Sequence, residues 1–139
     1  MNVKNYKGDV TLRPRLYKNY ATTTLKLEQH TMTDFMRMLN GKSKNSYIVE
    51  KIVWLREFFK NANDEEKVKF MIELVPYSSR RKLTGAAIET DRRKEAVVSV
   101  KCEKEDYDIV VKEAGKLGLT FSEIIRRLII KDIENQLKN

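Results

Sequence analysis

Side chains able to carry catalysis are few in this chain. His30 is the sole histidine and Cys102 the sole cysteine among 139 residues, and nothing near His30 in sequence makes a zinc or triad spacing. No phosphate-cradling glycine loop is present. Cys102 falls on the inward parity of an alternating run, where an inert buried thiol is expected rather than a nucleophile. These absences argue against an enzyme, a metal site and a cofactor. The polar chemistry that remains is of hydroxyls, amides and ammonium groups, and it is patterned. Thr22-Thr23-Thr24-Leu25-Lys26-Leu27 alternates as a half-buried strand does, with Thr23, Leu25 and Leu27 inward and Thr22, Thr24 and Lys26 outward. Val97-Val98-Ser99-Val100-Lys101-Cys102 repeats the pattern, with Val98, Val100 and Cys102 inward and Val97, Ser99 and Lys101 outward. Hydroxyl and ammonium groups hydrogen-bond base edges, and the methyls of threonine and valine pack on a thymine methyl.

A second set of polar residues opens two helices. Ser43, Lys44, Asn45 and Ser46 follow Gly41, and Thr120, Phe121 and Ser122 follow Gly118. The first amides of a helix lack intrahelical acceptors and lie at the positive end of its dipole, so such a terminus holds an anion such as a DNA phosphate. Phosphate contacts fix register and orientation but carry no sequence information.

The elements that must position these residues follow from periodicity. After the first strand, Met32, Phe35, Met36 and Leu39 recur at helical spacing, with Met38 alongside, as core packing. Asn40-Gly41 ends that helix. A second helix opens near Ser43–Ser46 and reaches about Lys60, with Ile48, Ile52, Leu55 and Phe59 on one stripe. Trp54 falls mid-helix, as a packing or interface residue. Asn63 and Glu66 form a capping box for a third helix with Val68, Met71, Ile72 and Val75 as its stripe, stopped by Pro76. Residues 77–95 show no clear period and read as a loop or linker. After the second strand comes a helix with Tyr107, Val110, Val111, Ala114 and Leu117 on one face. A last helix carries Phe121, Ile124, Ile125, Leu128, Ile129 and Ile133.

Strand, helix, turn and helix therefore occur twice, in units spanning 22–61 and 97–139, with a basic arm at 1–21 and a helix-containing linker at 62–96. The spacings differ: Leu27 to Gly41 is 14 positions and Cys102 to Gly118 is 16. A unit of this kind has two unpaired strand edges and is too small to bury an adequate core. Pairing two units makes an antiparallel ribbon, packed on helices by one face and free on the other. The ribbon forms either within one chain, as a pseudo-dimer, or between two chains; the unequal spacing favours the homodimer with two ribbons.

The net charge is +8 and the isoelectric point about 9.5, consistent with a polyanion partner. Five basic residues against one acidic lie in 1–21, and seven against four in 22–61, so the excess sits in the first half. The arm adds Arg13, Arg15 and Lys18 as candidate DNA contacts, with Tyr6, Tyr17 and Tyr20 among them. The clusters Arg80-Arg81-Lys82 and Arg92-Arg93-Lys94 are candidates for further phosphate contacts or a solvated basic loop. No run has the length of a membrane span and no secretion signal opens the chain, so a cytoplasmic location is expected. A lone cysteine fits a reducing compartment.

Val98-Ser99-Val100-Lys101 followed by Gly118-Leu119-Thr120-Phe121-Ser122-Glu123-Ile124-Ile125-Arg126 resembles the ribbon-helix-helix superfamily of Arc-, CopG- and MetJ-like DNA-binding proteins. Gly41-Lys42-Ser43-Lys44-Asn45-Ser46-Tyr47-Ile48 resembles the Arc version of the same turn. The resemblance covers about 80 residues and implies that Ser99 and Lys101, with Thr22, Thr24 and Lys26, read bases of double-stranded DNA. One departure is that the second unit has equal numbers of basic and acidic residues and Val97 on its outward face. That departure points to a pairing role or a weaker hold on DNA. The fold expected is α+β and mostly helical, from tandem ribbon-helix-helix units. The function expected is a transcriptional repressor of a plasmid, phage or bacterial operon. Two alternatives are a relaxosome or plasmid-partition accessory factor, since two copies in one chain resemble conjugative accessory proteins of the F-plasmid type, and an antitoxin-like module binding a protein through its linker or arm.

Overall fold

The computed structural model describes residues 19–78 and 96–137. Among them are two strands, β1 (Tyr20–Leu27) and β2 (Ala96–Glu103), and five helices: α1 (Gln29–Leu39), α2 (Lys44–Asn61), α3 (Asp64–Leu74), α4 (Lys104–Lys116) and α5 (Phe121–Leu137). A 3-10 turn, Val75–Tyr77, follows α3 with Pro76 near its start. The class is α+β and mostly helical, as the periodicities predict.

The strands pair with each other, antiparallel, within the one chain. The register sets Thr22 opposite Lys101, Thr24 opposite Ser99 and Lys26 opposite Val97, with Leu25 opposite Val98 and Thr23 opposite Val100 between them. Of the two pairings open from sequence, the intramolecular one is what the structure has. The favoured two-ribbon pairing is set aside because the unequal spacing lies elsewhere: α1 has 11 residues and α4 has 13. The extra two positions extend a helix and leave the strand register untouched.

Alternation places Leu25, Leu27, Val98, Val100 and Cys102 in the core while Thr22, Thr24, Lys26, Val97, Ser99 and Lys101 are exposed. Beneath the ribbon the helices of the two halves interleave: α1 packs against α5, and α2 against α4. Ile48, Ile52, Leu55 and Phe59 of α2 and all six apolar residues expected of α5 join one contiguous core. Met36 departs from its expected stripe and is 53% exposed, while Met32 and Phe35 are buried.

The helix ends follow their residues. Asn40 (φ 50°) and Gly41 (φ 93°) turn the chain after α1 in the left-handed region, and Gly118 (φ 83°) does so after α4. The Ser43 hydroxyl accepts from the Ser46 amide (3.2 Å) at the start of α2. Asn63 and Glu66 form the reciprocal capping box of α3. The face that α3 buries differs from expectation: Phe70 and Leu74 are buried, whereas Val68, Ile72 and Val75 are exposed. Phe70 joins the rings of Phe58 and Trp54 at centroid distances of 4.8 and 5.6 Å, and that aromatic contact selects the face.

Polar bridges between helices also tie the molecule together. Arg56 of α2 pairs with buried Asp106 of α4 at 2.8 Å. Lys67 of α3 pairs with Glu113 of α4 at 3.1 Å. The Tyr47 hydroxyl donates to Asp132 of α5, which also accepts from Lys51 at 2.6 Å. Burial first, then that bond to a carboxylate, pushes the Tyr47 hydroxyl well above its usual range. No helix among the described residues is long and apolar enough to cross a membrane.

Candidate nucleic-acid interface

The outward face of the ribbon is a small, mostly polar surface made of three cross-strand pairs: Thr22–Lys101, Thr24–Ser99 and Lys26–Val97. These six are the residues that alternation assigned to base contacts, and the structure brings them onto one exposed face. Tyr20 and Glu103 extend it at one end. The Lys101 ammonium lies 5.0 Å from the centre of the Tyr20 ring, a cation–π contact that holds the side chain over the strand end. Val97 is 58% exposed, an apolar side chain on an otherwise polar face.

Each long edge of the ribbon is held by a side chain from the first two turns of a helix of the other half. Asn45, in the first turn of α2, accepts from the Lys101 amide through Oδ1 (2.8 Å) and donates to the Lys101 carbonyl through Nδ2 (3.2 Å). Those backbone groups therefore point away from β1, so Thr22–Lys101 is a non-hydrogen-bonded pair of the antiparallel ladder. Four residues along β1, Lys26 sits in an equivalent pair, and its carbonyl accepts from Arg126 of α5 at 3.1 Å. On each edge one residue is thus engaged, Lys101 through both backbone groups and Lys26 through its carbonyl, which blunts the edge at those two places. Sequence reasoning missed both clamps. A short amide side chain beside a helix cap reads as a capping or phosphate residue, and nothing in its spacing points to a strand 56 positions away.

The residues assigned to phosphate contacts fall beside these edges. Ser43 and Ser46 are exposed, and Lys44 and Asn45 half-buried, at the start of α2 next to β2. Thr120 is exposed and Ser122 half-buried at the start of α5. With Thr23 of β1 they line an open groove of about 400 Å³. Phe121 is buried against Tyr107 (centroids 4.8 Å apart), so only its backbone amide is available for a phosphate. The Asn45 side-chain amide is engaged with β2, which leaves its backbone amide for that role.

The two helix starts differ electrostatically. The first turn of α2 contains Lys44 and no acid. That of α5 contains Glu123, whose amide donates to the Thr120 hydroxyl (3.1 Å). Its carboxylate is buried between Arg126 and Arg127, both at 2.8 Å. Burial pushes this carboxyl up, but the hydrogen bonds from the two arginines outweigh it and hold Glu123 below its ordinary range. The pair of guanidinium groups leaves the α5 start net positive despite the acid.

Cys102 is buried on the inward face, and burial, aided by Asp106 and Glu103, pushes its thiol up to about 11. Among the described residues no group of three or more histidine, cysteine, aspartate or glutamate side chains is placed to hold a metal ion. His30 is largely exposed, 3.8 Å from Glu28. Arg13, Arg15 and Lys18 of the arm, Tyr6 and Tyr17, and the basic clusters at 80–82 and 92–94 lie outside the described residues.

Compared with protein-family models, with curated proteins and with solved structures, the chain matches none.

Proposed function

We propose that this chain is a single-chain ribbon-helix-helix protein that binds duplex DNA sequence-specifically, with the β1–β2 ribbon in the major groove, and acts as a transcriptional repressor rather than an enzyme. The observation carrying this reading is the closed intramolecular ribbon, with its six exposed outward residues and a helix start at each edge. A two-stranded ribbon is among the few elements that fit a major groove about 12 Å wide, where each base pair shows a distinct donor and acceptor pattern. From Thr22 to Lys26 the face runs about 13 Å, or roughly four base-pair steps. Threonine, serine and lysine along it supply donors and acceptors for base edges. The starts of α2 and α5 supply amides, and Lys44, Arg126 and Arg127 positive charge, for phosphates on either side.

An accessory role at a transfer origin or a partition locus uses the same interface, and the position of the operator separates the two. A protein-binding reading draws on a different observation: Val68 and Ile72 of α3, with Val75 just beyond its end, are exposed apolar side chains.

The experiment is binding of the full chain to duplex from its own upstream region and to unrelated duplex, titrated against salt. The proposal expects a large preference for one natural duplex, a steep loss of affinity with salt, and a site-specific loss of about 1–3 kcal/mol for Lys26→Ala or Lys101→Ala. Unchanged binding of both variants to the preferred duplex would remove the ribbon from the interface.

A further inference from the structure

The ribbon has approximate twofold symmetry that the sequence breaks at its ends. An offset of 75 positions relates Thr22 to Val97, Thr24 to Ser99 and Lys26 to Lys101. The pairing register obeys the same symmetry, with an axis through Thr24–Ser99 and the ends Thr22–Lys101 and Lys26–Val97 exchanged across it. In a ribbon built from two identical chains the ends would be identical and would read an inverted repeat. Here both strands belong to one chain, so each end has its own residues. One presents lysine beside a threonine, which has a hydroxyl and a methyl. The other presents lysine beside a valine, which has methyls alone and makes no hydrogen bond.

Val97 is the informative residue. An apolar side chain 58% exposed at the end of a polar face discards hydrophobic gain unless something covers it. In a major groove the complementary group is the C5-methyl of thymine. Thr22, at the equivalent place, can additionally donate to or accept from a base edge. Lysine is common to both ends, so the difference in residue type rests on Thr22 and Val97.

Resting on the DNA-binding reading above, we infer that one chain reads a directional, non-palindromic operator. Val97 selects a thymine methyl at one end, and Thr22 selects a hydrogen-bonding base edge at the other. These two are the residues that set orientation. The starts of α2 and α5 also differ, but their phosphate contacts add affinity without sequence.

The test selects bound sequences from a randomised duplex library with the full native chain, Thr22→Val and Val97→Thr. Both substitutions are near-isosteric, β-branched and on an exposed strand face, and circular dichroism checks that the fold is kept. The native chain enriches a motif that differs from its own reverse complement, with one chain bound per site. Thr22→Val makes the outer positions palindromic by placing the thymine-selecting half at both ends. Val97→Thr makes them palindromic with the other half. Each palindromic duplex binds the native chain about tenfold or more weakly than the directional site, the usual cost of one mismatched contact. A palindromic native motif, or variants that leave the asymmetry unchanged, overturns the inference while leaving DNA binding standing. A native chain that enriches no sequence overturns the DNA-binding reading and this inference with it.

Discussion

Asn45 offers the sharpest perturbation of the ribbon's support. Its side chain makes two hydrogen bonds to the Lys101 backbone, at 2.8 and 3.2 Å, across the outer edge of β2. Asn45→Ala removes both. Each contributes about 0.5–1.5 kcal/mol net, and because the freed peptide groups reach water the combined loss is about 1–2 kcal/mol. For a chain of this length that lowers the unfolding midpoint by about 3–6 °C. The local effect is more diagnostic. The Lys101 amide points away from β1, so Asn45 is its acceptor, whereas the Val100 amide faces β1 by the alternation of the ladder. Hydrogen exchange followed by NMR is then expected to speed up at Lys101 in Asn45→Ala, with Val100 following only the global change. Asn45→Asp keeps an acceptor for the amide and loses the donor to the carbonyl, so Lys101 stays protected while stability falls by less. Unchanged exchange at Lys101 in Asn45→Ala, with an unchanged midpoint, would refute the clamp.

Other consequences follow from the core and from the charged groups. Ile129 is fully buried in α5, so Ile129→Ala costs about 2–5 kcal/mol in chemical denaturation. The carboxyls of Glu113 and Glu123 are held below their ordinary value of 4.5, because hydrogen bonds from Lys67 and Lys116, and from Arg126 and Arg127, outweigh the upward push of burial. Their contribution to stability is present above pH 4.5 and is lost as the pH falls through their depressed folded values. Glu123→Gln therefore lowers stability at neutral pH and flattens the acid limb of a midpoint-against-pH curve. With the Cys102 thiol pushed up to about 11, about one thiol in a thousand is ionised at pH 8. Iodoacetamide modifies it far more slowly in the folded chain than in denaturant; equal rates would place the thiol at the surface.

Much of the architecture was legible because it rests on short-range pattern. Alternation in Thr22–Leu27 and Val97–Cys102 gave both strands and their inward faces. The stripe of α5 gave six buried residues, and Asn63 with Glu66 gave the start of α3. What failed depended on long-range competition. The segment 64–75 carries two apolar stripes; Phe70 goes inward to the rings of Trp54 and Phe58 and Leu74 into the shared core, while Val68 and Ile72 stay out. The pairing of strands was open from sequence, because the spacing difference was weighed as a property of the whole unit when it belongs to a helix. At the interface, the outward face of the ribbon was readable from parity. The clamps by Asn45 and Arg126 were not, since each joins residues far apart in sequence.

The most direct test of the account is a map of backbone amide shifts on adding duplex DNA to the isotope-labelled full chain. The largest changes are expected at Thr22, Thr24, Lys26, Val97, Ser99 and Lys101, with a second set at residues 43–46 and 120–122. Changes confined to α3 around Val68, Ile72 and Val75, with the ribbon silent, would contradict it.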